Sequence, residues 1–419
     1  MKLKKNDNVP EIRFDSFKEE WDKKRFKDFT KLSQGLQMAI SSRFLEDGEH
    51  RYFYITNEFL NPNSTKKYYI ESPSENVICT VDDILMTRTG NTGKVITNIS
   101  GAFHNNFFKV DYDKYETSKM FLYYLLTSND IQKEIIIRAG NSTIPDLNHS
   151  DFYSIKTSVP ALAEQSAIGS FFLVLDNLLA SYKDNLVNYQ SLKATMLSKM
   201  FPKAGQTVPE IRLDGFEGAW ECLKIAEIFQ IIDGDRGKSY PGESDFYSVG
   251  HTLFLDTGNV KKSGLDFSTT KFISEEKDKE LRNGKLILGD FILTSRGTLG
   301  NVAYYNENIQ KRYSSVRINS AMLILRPLLG DKISPDYILA VLRGNLISDF
   351  MKVNQVGSAQ PHITKKEFSK IKVLVPSNIQ EQQAIGSYFS NLDNLINTYQ
   401  EKISKLETLK KKLLQDMFI

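Results

Sequence analysis

The sequence repeats itself over most of its length. Residues Val9–Phe17 (VPEIRFDSF) reappear as Val208–Phe216 (VPEIRLDGF), and each copy leads to one of the chain's only two tryptophans, Trp21 and Trp220. A long-period repeat indicates that one folding unit is present twice, because both copies meet the same packing requirements. The 419 residues are therefore predicted to form two like halves.

Two further blocks extend the repeat. Asp83–Gly93 (DILMTRTGNTG) matches Asp290–Gly300 (DFILTSRGTLG), and Glu164–Phe172 (EQSAIGSFF) matches Glu381–Phe389 (EQQAIGSYF), each followed by LDNL and later by MF. By contrast, residues 30–80 and 229–285 share little. The two halves thus share the sequence of their ends but differ in their middle segments. This pattern is expected when two like domains recognise different targets.

The divergent middle segments of the two halves predict an α+β fold. Short β-branched or aromatic runs such as Arg51–Thr56, Val77–Val81 and Ile84–Thr87 predict strands, whereas Phe121–Leu126 and Tyr337–Leu342 predict helices. We expect two mixed α/β domains, each followed by a long helix, in a pseudo-two-fold tandem repeat. The predicted segments are a first domain (9–158), a first helix (159–202), a linker with the second domain (203–374) and a second helix (375–419).

The repeated block after each domain has the heptad pattern of a coiled coil. Apolar residues alternate at spacings of four and three, which places them on one seam, over about 37 residues or on the order of 55 Å. Both seams then shift by three residues, to Leu192 and Met196 in the first helix and to Leu409 and Leu413 in the second. The alternative is that each helix packs only on its own domain. The predicted pairing residues are Ile168, Phe172, Leu175, Leu179, Tyr182 and Leu186 in the first helix, and Ile385, Phe389, Leu392, Ile396, Tyr399 and Ile403 in the second.

Composition and motifs argue against catalysis by this chain. The net charge of +3 does not by itself indicate a nucleic-acid partner. No glycine-rich turn accompanies an Asn/Asp-Pro-Pro-aromatic motif, and Gly90–Lys94 is too short for a phosphate-binding loop. The five histidines lack metal-ligand spacing. Cys79 and Cys222 are expected to be buried thiols, and with no signal peptide or membrane span we expect a cytoplasmic protein.

Two kinds of polar loop are the candidate contact sites. The loops after Ile84–Thr87 and Phe291–Thr294 combine hydroxyls, amides and an arginine, which donate to phosphates and to guanine, although a β-hairpin turn with glycines at positive φ would look the same. A second polar loop precedes the end of each domain. The candidates are Arg88, Thr89, Asn91, Thr92, Lys94, Asn141, Ser142 and Thr143 in the first half, and Arg296, Thr298, Asn301, Gln355, Ser358 and Gln360 in the second.

The doubled pattern Glu-Gln-x-Ala-Ile-Gly-x-x-Phe-x-x-Leu-Asp-Asn-Leu, together with Val-Pro-Glu-Ile-Arg at the head of each half, resembles the conserved regions of Type I restriction–modification specificity subunits. The resemblance implies that each target-recognition domain binds one part of a bipartite double-stranded DNA site. It also implies that the helices form an antiparallel coiled coil that docks two methyltransferase subunits. Restriction subunits complete such complexes. S-adenosylmethionine, ATP and Mg²⁺ belong to the partner subunits, and the specificity subunit binds no cofactor or metal.

Two other classes stay open at this point. One is a stand-alone DNA-modifying or DNA-cleaving enzyme, which the missing motifs disfavour. The other is a coiled-coil scaffold without DNA recognition, which the divergent middles disfavour. If the chain is a specificity subunit, its weak net charge indicates that the partners neutralise most of the phosphates.

Overall fold

The computed structural model describes residues 8–140, 143–354 and 362–419. The chain divides into a first compact unit, which runs up to Lys183 and resumes at Lys402, and a second unit, Asp184–Glu401. Each unit therefore combines one α/β domain with parts of both long helices. The domain boundaries expected from the sequence assign each helix to its own segment, and they stay a prediction.

The first half of the chain forms two four-stranded sheets with the orders β2-β9-β6-β7 and β4-β3-β8-β5, and a separate pair β1-β10. Its strands are β1 (Asp22–Arg25), β2 (Thr30–Gln34), β3 (Arg51–Ile55), β4 (Tyr69–Glu71), β5 (Ile78–Cys79), β6 (Ile84–Thr87), β7 (Val95–Thr97), β8 (Gly101–Phe103), β9 (Phe107–Tyr112) and β10 (Lys156–Val159). Its helices are α1 (Lys119–Thr127), α2 (Asn129–Ala139), α3 (His149–Ser154) and α4 (Leu162–Lys199).

The second half has a matching sheet, β12-β20-β17-β18, beside a three-stranded sheet, β16-β13-β19, and the pairs β14-β15 and β11-β21. Its strands are β11 (Glu221–Lys224), β12 (Phe229–Asp233), β13 (Thr252–Leu255), β14 (Val260–Lys261), β15 (Gly264–Leu265), β16 (Phe272–Ile273), β17 (Phe291–Thr294), β18 (Val302–Tyr304), β19 (Val316–Ile318), β20 (Met322–Pro327) and β21 (Lys372–Val375). Its helices are α5 (Ile225–Ile228), α6 (Glu275–Glu280), α7 (Glu307–Arg312), α8 (Pro335–Arg343), α9 (Asn345–Asn354), α10 (Lys365–Phe368) and α11 (Ile379–Asp416).

The central strands β6 and β17 are buried on both faces. Ile84 and Met86 pack on the side of helix α1, whereas the intervening Leu85 packs against the second sheet of the same half. Phe291 and Leu293 alternate with Ile292 in the same way. Successive side chains of a strand point to opposite faces, so a strand between two apolar layers needs an unbroken apolar run. The strands expected at Arg51–Thr56 and Ile84–Thr87 and the helices expected at Phe121–Leu126 and Tyr337–Leu342 are confirmed, whereas only Ile78–Cys79 of the expected strand Val77–Val81 forms.

The long helices α4 and α11 each contain 38 residues, or about 57 Å at 1.5 Å per residue. Their segments pair antiparallel within each unit. In the first unit Lys183 Nζ lies 2.7 Å from Glu407 Oε1, and Asp176 contacts Lys410. In the second unit Lys193 Nζ lies 2.5 Å from Asp393 Oδ1.

All twelve seam residues expected from the heptad pattern are buried or half-buried. The first positions of each seam also pack on their own domain, because Phe172 stacks near Tyr124 of α1 with ring centroids 5.0 Å apart. The shifted part of the seam is confirmed at one position in each helix and wrong at the other: Leu413 is buried and Met196 is half-buried, whereas Leu192 and Leu409 are exposed to 37% and 47%.

The repeated sequence blocks hold each domain to its helix. Arg13 donates to both carboxylate oxygens of Glu164, at 2.6 and 2.7 Å, and Arg212 does the same to Glu381, at 2.8 Å for both. Both glutamates are almost fully buried. The hydrogen bond to Glu164 raises the pKa of Arg13. The first and third blocks therefore repeat together because each supplies one partner of the same buried ion pair.

The glutamine and the glycine of the third block are also structural. Gln165 accepts a hydrogen bond from the Ser118 backbone at 2.9 Å, and Gln382 accepts one from Ser334 at 2.8 Å. A Cβ on Gly169 would lie 2.7 Å from a backbone nitrogen of α1. Only glycine allows that approach of helix to helix.

One expectation about the cysteines is wrong. Cys79 is buried, but Cys222 is exposed. Cys222 lies on β11, a short strand that pairs only with β21 and shows its outer face to solvent. In the part of the chain that the structure describes, no helix is long and apolar enough to cross a membrane.

Candidate nucleic-acid interface

The loop after each central strand is built on the same hydrogen-bonded frame. In the first unit, Thr87 donates its backbone N–H to Lys94 O at 2.9 Å and accepts from Gly93 N at 2.8 Å. In the second unit, Thr294 makes the equivalent bonds with Asn301 and Gly300, at 3.0 and 2.9 Å. We call these segments, residues 88–94 and 295–301, the frame loops.

Glycines shape both frame loops. Gly90 and Gly93 have φ values of 61° and 89°, and Gly297 and Gly300 have 70° and 83°. These values lie in the left-handed region that favours glycine. The expected turn with glycines at positive φ is therefore confirmed, and it leaves the outward side chains of the loop available for contact.

Several predicted contact residues serve the frame itself. Lys94 Nζ reaches the Leu60 carbonyl at 3.4 Å. Asn301 donates to Val260 O at 2.8 Å, and the hydroxyl of Thr298 donates to a backbone carbonyl at 3.0 Å. The hydroxyl of Thr92 likewise donates to the Pro145 carbonyl at 2.7 Å. These four side chains dock the loops on neighbouring segments, and any role in DNA contact stays a prediction.

Arg88 is held within its domain. Its guanidinium donates to both carboxylate oxygens of Asp146, at 2.9 and 2.7 Å, and lies 5.5 Å from the Phe108 ring centroid. When the two frames are aligned, Arg88 corresponds to Ser295 and Thr89 corresponds to Arg296. The two arginines are therefore offset by one position. The side chains of Thr89, Asn91 and Arg296 make no hydrogen bond within the described ranges, and those of Asn91 and Arg296 are exposed.

The described residues that follow the second polar loop of each half lie beside its frame loop. Leu147 donates its backbone N–H to Arg88 O at 2.9 Å, and Ile363 donates to Ser295 O at 3.0 Å. Exposed Thr143 belongs to this segment. The remaining predicted residues of these loops lie outside the described residues: Asn141, Ser142, Gln355, Ser358 and Gln360.

A third polar turn at the same sheet edge was missed by the sequence reasoning. Residues 104–106 precede β9 and residues 319–321 precede β20, and the carbonyls of Asn106 and Ala321 accept the backbone N–H groups of Arg88 and Ser295, at 2.7 and 2.9 Å. A signal existed, because three polar or small residues stand directly before a buried strand. The turn shares no sequence between halves, so the repeat could not reveal it.

No metal centre accompanies these loops. Over residues 8–140, 143–354 and 362–419, no group of three or more His, Cys, Asp or Glu side chains is arranged to hold a metal ion. The two edges, each with a frame loop and a polar turn, define a protein built from two equivalent modules.

Comparison with known proteins identifies the kind of module. The family model described as the Type I restriction modification DNA specificity domain matches residues 18–188 and again residues 217–408. The chain therefore belongs to this family. It is a DNA-specificity subunit of a type I restriction–modification system, the subunit that selects the sequence rather than one of the enzymes.

Individual relatives cover the whole chain. The Type I restriction enzyme MjaVIII specificity subunit of Methanocaldococcus jannaschii is 23% identical over 99% of this chain and 96% of the relative. The crystal structure of the S subunit of a type I system from M. genitalium matches with a TM-score of 0.65 and 18% identity, covering 98% of this chain and 99% of the other. A structure from work on assembly and conformational transition of the type I R-M system matches at 0.51 and 15%, over 94% and 96%. These structures share the fold.

Proposed function

We propose that each unit binds one part of a bipartite double-stranded DNA site through the sheet edge that carries its frame loop. The observation behind the proposal is that one frame occurs twice with different exposed residues, Asn91 in the first unit and Arg296 in the second. A constant frame fixes where side chains stand, and different side chains at those places select different bases.

The pairing of Arg88 with Asp146 bears on its role. A guanidinium already bonded to a carboxylate must exchange that partner before it can bind a base, which costs part of the gain. Arg296 has no such competitor and lies on an exposed loop. We therefore expect Arg296 to contribute more to recognition than Arg88 does.

The test uses the chain assembled with its methyltransferase partners and a random-sequence DNA pool. The expected result is two short selected sequences separated by unselected bases. Arg296→Ala should relax only one of them. Lys311→Ala is the matched control, because Lys311 is an exposed cation of α7, which follows β18 and so lies toward the opposite edge of the same sheet. If Arg296→Ala leaves both selected DNA sequences unchanged, Arg296 does not contribute to base recognition.

We further propose that the paired helices dock two methyltransferase subunits. Two exposed leucine pairs support this. Leu178 and Leu409 belong to the first unit, Leu192 and Leu395 belong to the second, and the antiparallel register places the members of each pair at the same level. Exposed leucines at equivalent places suit two copies of one partner. S-adenosylmethionine, ATP and Mg²⁺ would then be bound by the methyltransferase and restriction subunits.

Native mass spectrometry of the complex tests this docking. Leu192→Glu with Leu395→Glu should remove one of the two methyltransferase copies, because a buried carboxylate without a partner is unfavourable. Leu178→Glu with Leu409→Glu should have the same effect at the other pair. Val249→Glu is the control, since Val249 is exposed to 82% and lies away from both helices in the sequence. Retention of both copies in both double variants would contradict the docking proposal.

A further inference from the structure

Besides the frame loop and the turn before β9, a third segment lies at the same sheet edge of the first unit, namely the chain that follows β2. In the register of the sheet Gln34 is opposite Phe108 and Thr87 is opposite Phe107, so the chain after β2, the chain after β6 and the turn before β9 lie side by side. The backbone N–H of Asn105 donates to Leu36 O at 3.0 Å. The segment after β2 is therefore tied directly to the turn that supports the frame loop.

Two amide side chains stand together here, Gln37 on the segment after β2 and Asn105 on the turn before β9. Asn105 Nδ2 donates to Gln37 Oε1 at 3.3 Å, and Gln37 is exposed. This bond leaves the Gln37 amide nitrogen and the Asn105 amide oxygen with no other hydrogen bond among the described residues. A donor and an acceptor presented together match the adenine edge in the major groove, which offers the N7 acceptor and the N6 donor.

The second unit builds the same edge with a different side chain. Asp233 is opposite Leu323 and Thr294 is opposite Met322, so the segment after β12 lies beside the turn before β20. Arg236 Nη2 donates to the Ser320 carbonyl at 3.2 Å, and about half of its side chain is exposed. The backbone N–H of Arg296 donates to the next carbonyl, that of Ala321, at 3.2 Å. Two arginines thus flank one turn.

The backbone on either side of Arg236 is held rigidly. A Cβ on Gly234 would lie 2.1 Å from the Asn319 carbonyl oxygen, so the segment approaches the turn as only glycine allows. Asp235 accepts backbone N–H bonds from Gly237 at 2.7 Å and Arg282 at 2.6 Å. Burial would raise the pKa of Asp235, but these bonds lower it below its ordinary value. The backbone at Arg236 is therefore preorganised, and the guanidinium keeps N–H groups beyond the one that donates to Ser320.

Structural use alone does not account for Arg236. Its contact with Asp233 is 3.7 Å long, and the two side chains are 48% and 44% exposed. Exposed pairs of this kind contribute little to stability. A guanidinium matches the two acceptors of guanine, O6 and N7, in the major groove.

Resting on the proposed DNA recognition, we infer that Gln37 with Asn105 recognises an adenine in the half-site of the first unit, and that Arg236 recognises a guanine in the half-site of the second. The segments after β2 and β12 are thus specificity-determining. In each unit, the segment after the first strand of the sheet thus contributes to base recognition in addition to the frame loop and the predicted second polar loop.

The test is base selection by the assembled complex from a pool in which both half-sites are randomised. Gln37→Ala should reduce preference for one adenine in one half-site only. Arg236→Ala should reduce preference for one guanine in the other half-site by about 5- to 150-fold, the range of a good bidentate contact. Arg236→Lys should relax the same guanine, because lysine keeps the charge but not the two-pronged donor. Lys31→Ala, an exposed change near the far end of β2, is the control.

Three outcomes overturn the inference. In the first, the wild-type complex selects a bipartite sequence and neither substitution changes any base preference. In the second, the relaxed positions are not adenine for Gln37 and guanine for Arg236. In the third, Arg236→Ala weakens all sequences uniformly and lowers the salt dependence while Arg236→Lys restores both, which identifies a phosphate contact. A wild-type complex without sequence preference would instead refute the proposed function itself.

Discussion

Two reciprocal ion pairs join the long helices, and their surroundings predict that they differ in strength. Asp176 in the first unit and Asp393 in the second occupy the same place in the repeat, and so do their partners Lys410 and Lys193. Asp176 also accepts the Tyr124 hydroxyl at 2.7 Å. We predict that exchanging the charges is tolerated in the first unit and not in the second.

The difference arises from Arg343. Its Nη1 lies 3.8 Å from Asp393 Oδ2, and its side chain is only 13% exposed. Burial lowers the pKa of Arg343, and Asp393 opposes that effect. At an effective dielectric constant of about 20, charges 3.8 Å apart attract by about 4 kcal/mol. Desolvation and the 23% exposure of Asp393 offset about half of this, which leaves ~2 kcal/mol.

The exchange Asp176→Lys with Lys410→Asp restores an ion pair in the first unit. The Tyr124 hydroxyl tolerates it, because its O–H can donate to a carboxylate and its oxygen can accept from lysine. We expect the double variant to recover most of the ~1 to 2 kcal/mol lost by either single change. The exchange Asp393→Lys with Lys193→Asp places a second cation beside buried Arg343. It should stay ~2 kcal/mol or more below the wild type.

The two tryptophans allow each unit to be followed separately during urea unfolding of the full chain. Trp21 is buried in the first unit and Trp220 in the second. A Trp220→Phe background reports the first unit and a Trp21→Phe background the second, each compared with its own parent. The reasoning is refuted if the exchange in the first unit is no more stable than the single changes, or if both exchanges recover equally.

Three further predictions follow from local geometry and titration. Gly386→Ala should destabilise the second unit by ~2 kcal/mol or more in urea unfolding, because a Cβ there would lie 2.6 Å from the Tyr337 backbone nitrogen. Asp235→Asn should flatten the acid side of the stability–pH profile, since the depressed pKa of Asp235 contributes stability that is present above its ordinary value of 3.8 and lost as the pH falls below it; an unchanged profile contradicts this. A thiol reagent at pH 8 should modify one cysteine, Cys222, in the native chain, because burial raises the pKa of Cys79 to about 11; rapid modification of two would oppose it.

The sequence was most informative where physical requirements repeat. The central strands, the helices α1 and α8 and the two long helices follow from apolar periodicity, and the glycine-shaped frame loops follow from the second repeated block. The family resemblance rested on the same blocks. All these features depend either on a local sequence pattern or on comparison of the two repeated copies, and a single sequence provides both.

Tertiary partners were not predictable from spacing. The contact between Arg13 and Glu164 spans 151 positions, and that between Lys193 and Asp393 spans 200. Lys94 and Asn301 are predicted to contact DNA, and each also reaches a carbonyl of its own domain, which the sequence did not indicate. A polar side chain can either support a loop or contact DNA. The sequence alone therefore does not distinguish these two roles, whereas the fold shows which side chains support the loop.

The segments that differ between the halves were the hardest to interpret. Gln37 and Arg236 lie in the divergent middles, where no repeat marks a position. They became candidates only when strand register placed them beside the frame loops.

The central claim is that one chain selects two separate DNA sequences through two like edges. Methylation mapping in a host that carries the complete system tests it most directly, with Arg296→Ala and Gln37→Ala compared with the wild type. We expect a modified site made of two short defined sequences around an undefined spacer, with each variant relaxing a different one. A single uninterrupted site, or relaxation of the same half by both variants, would contradict it.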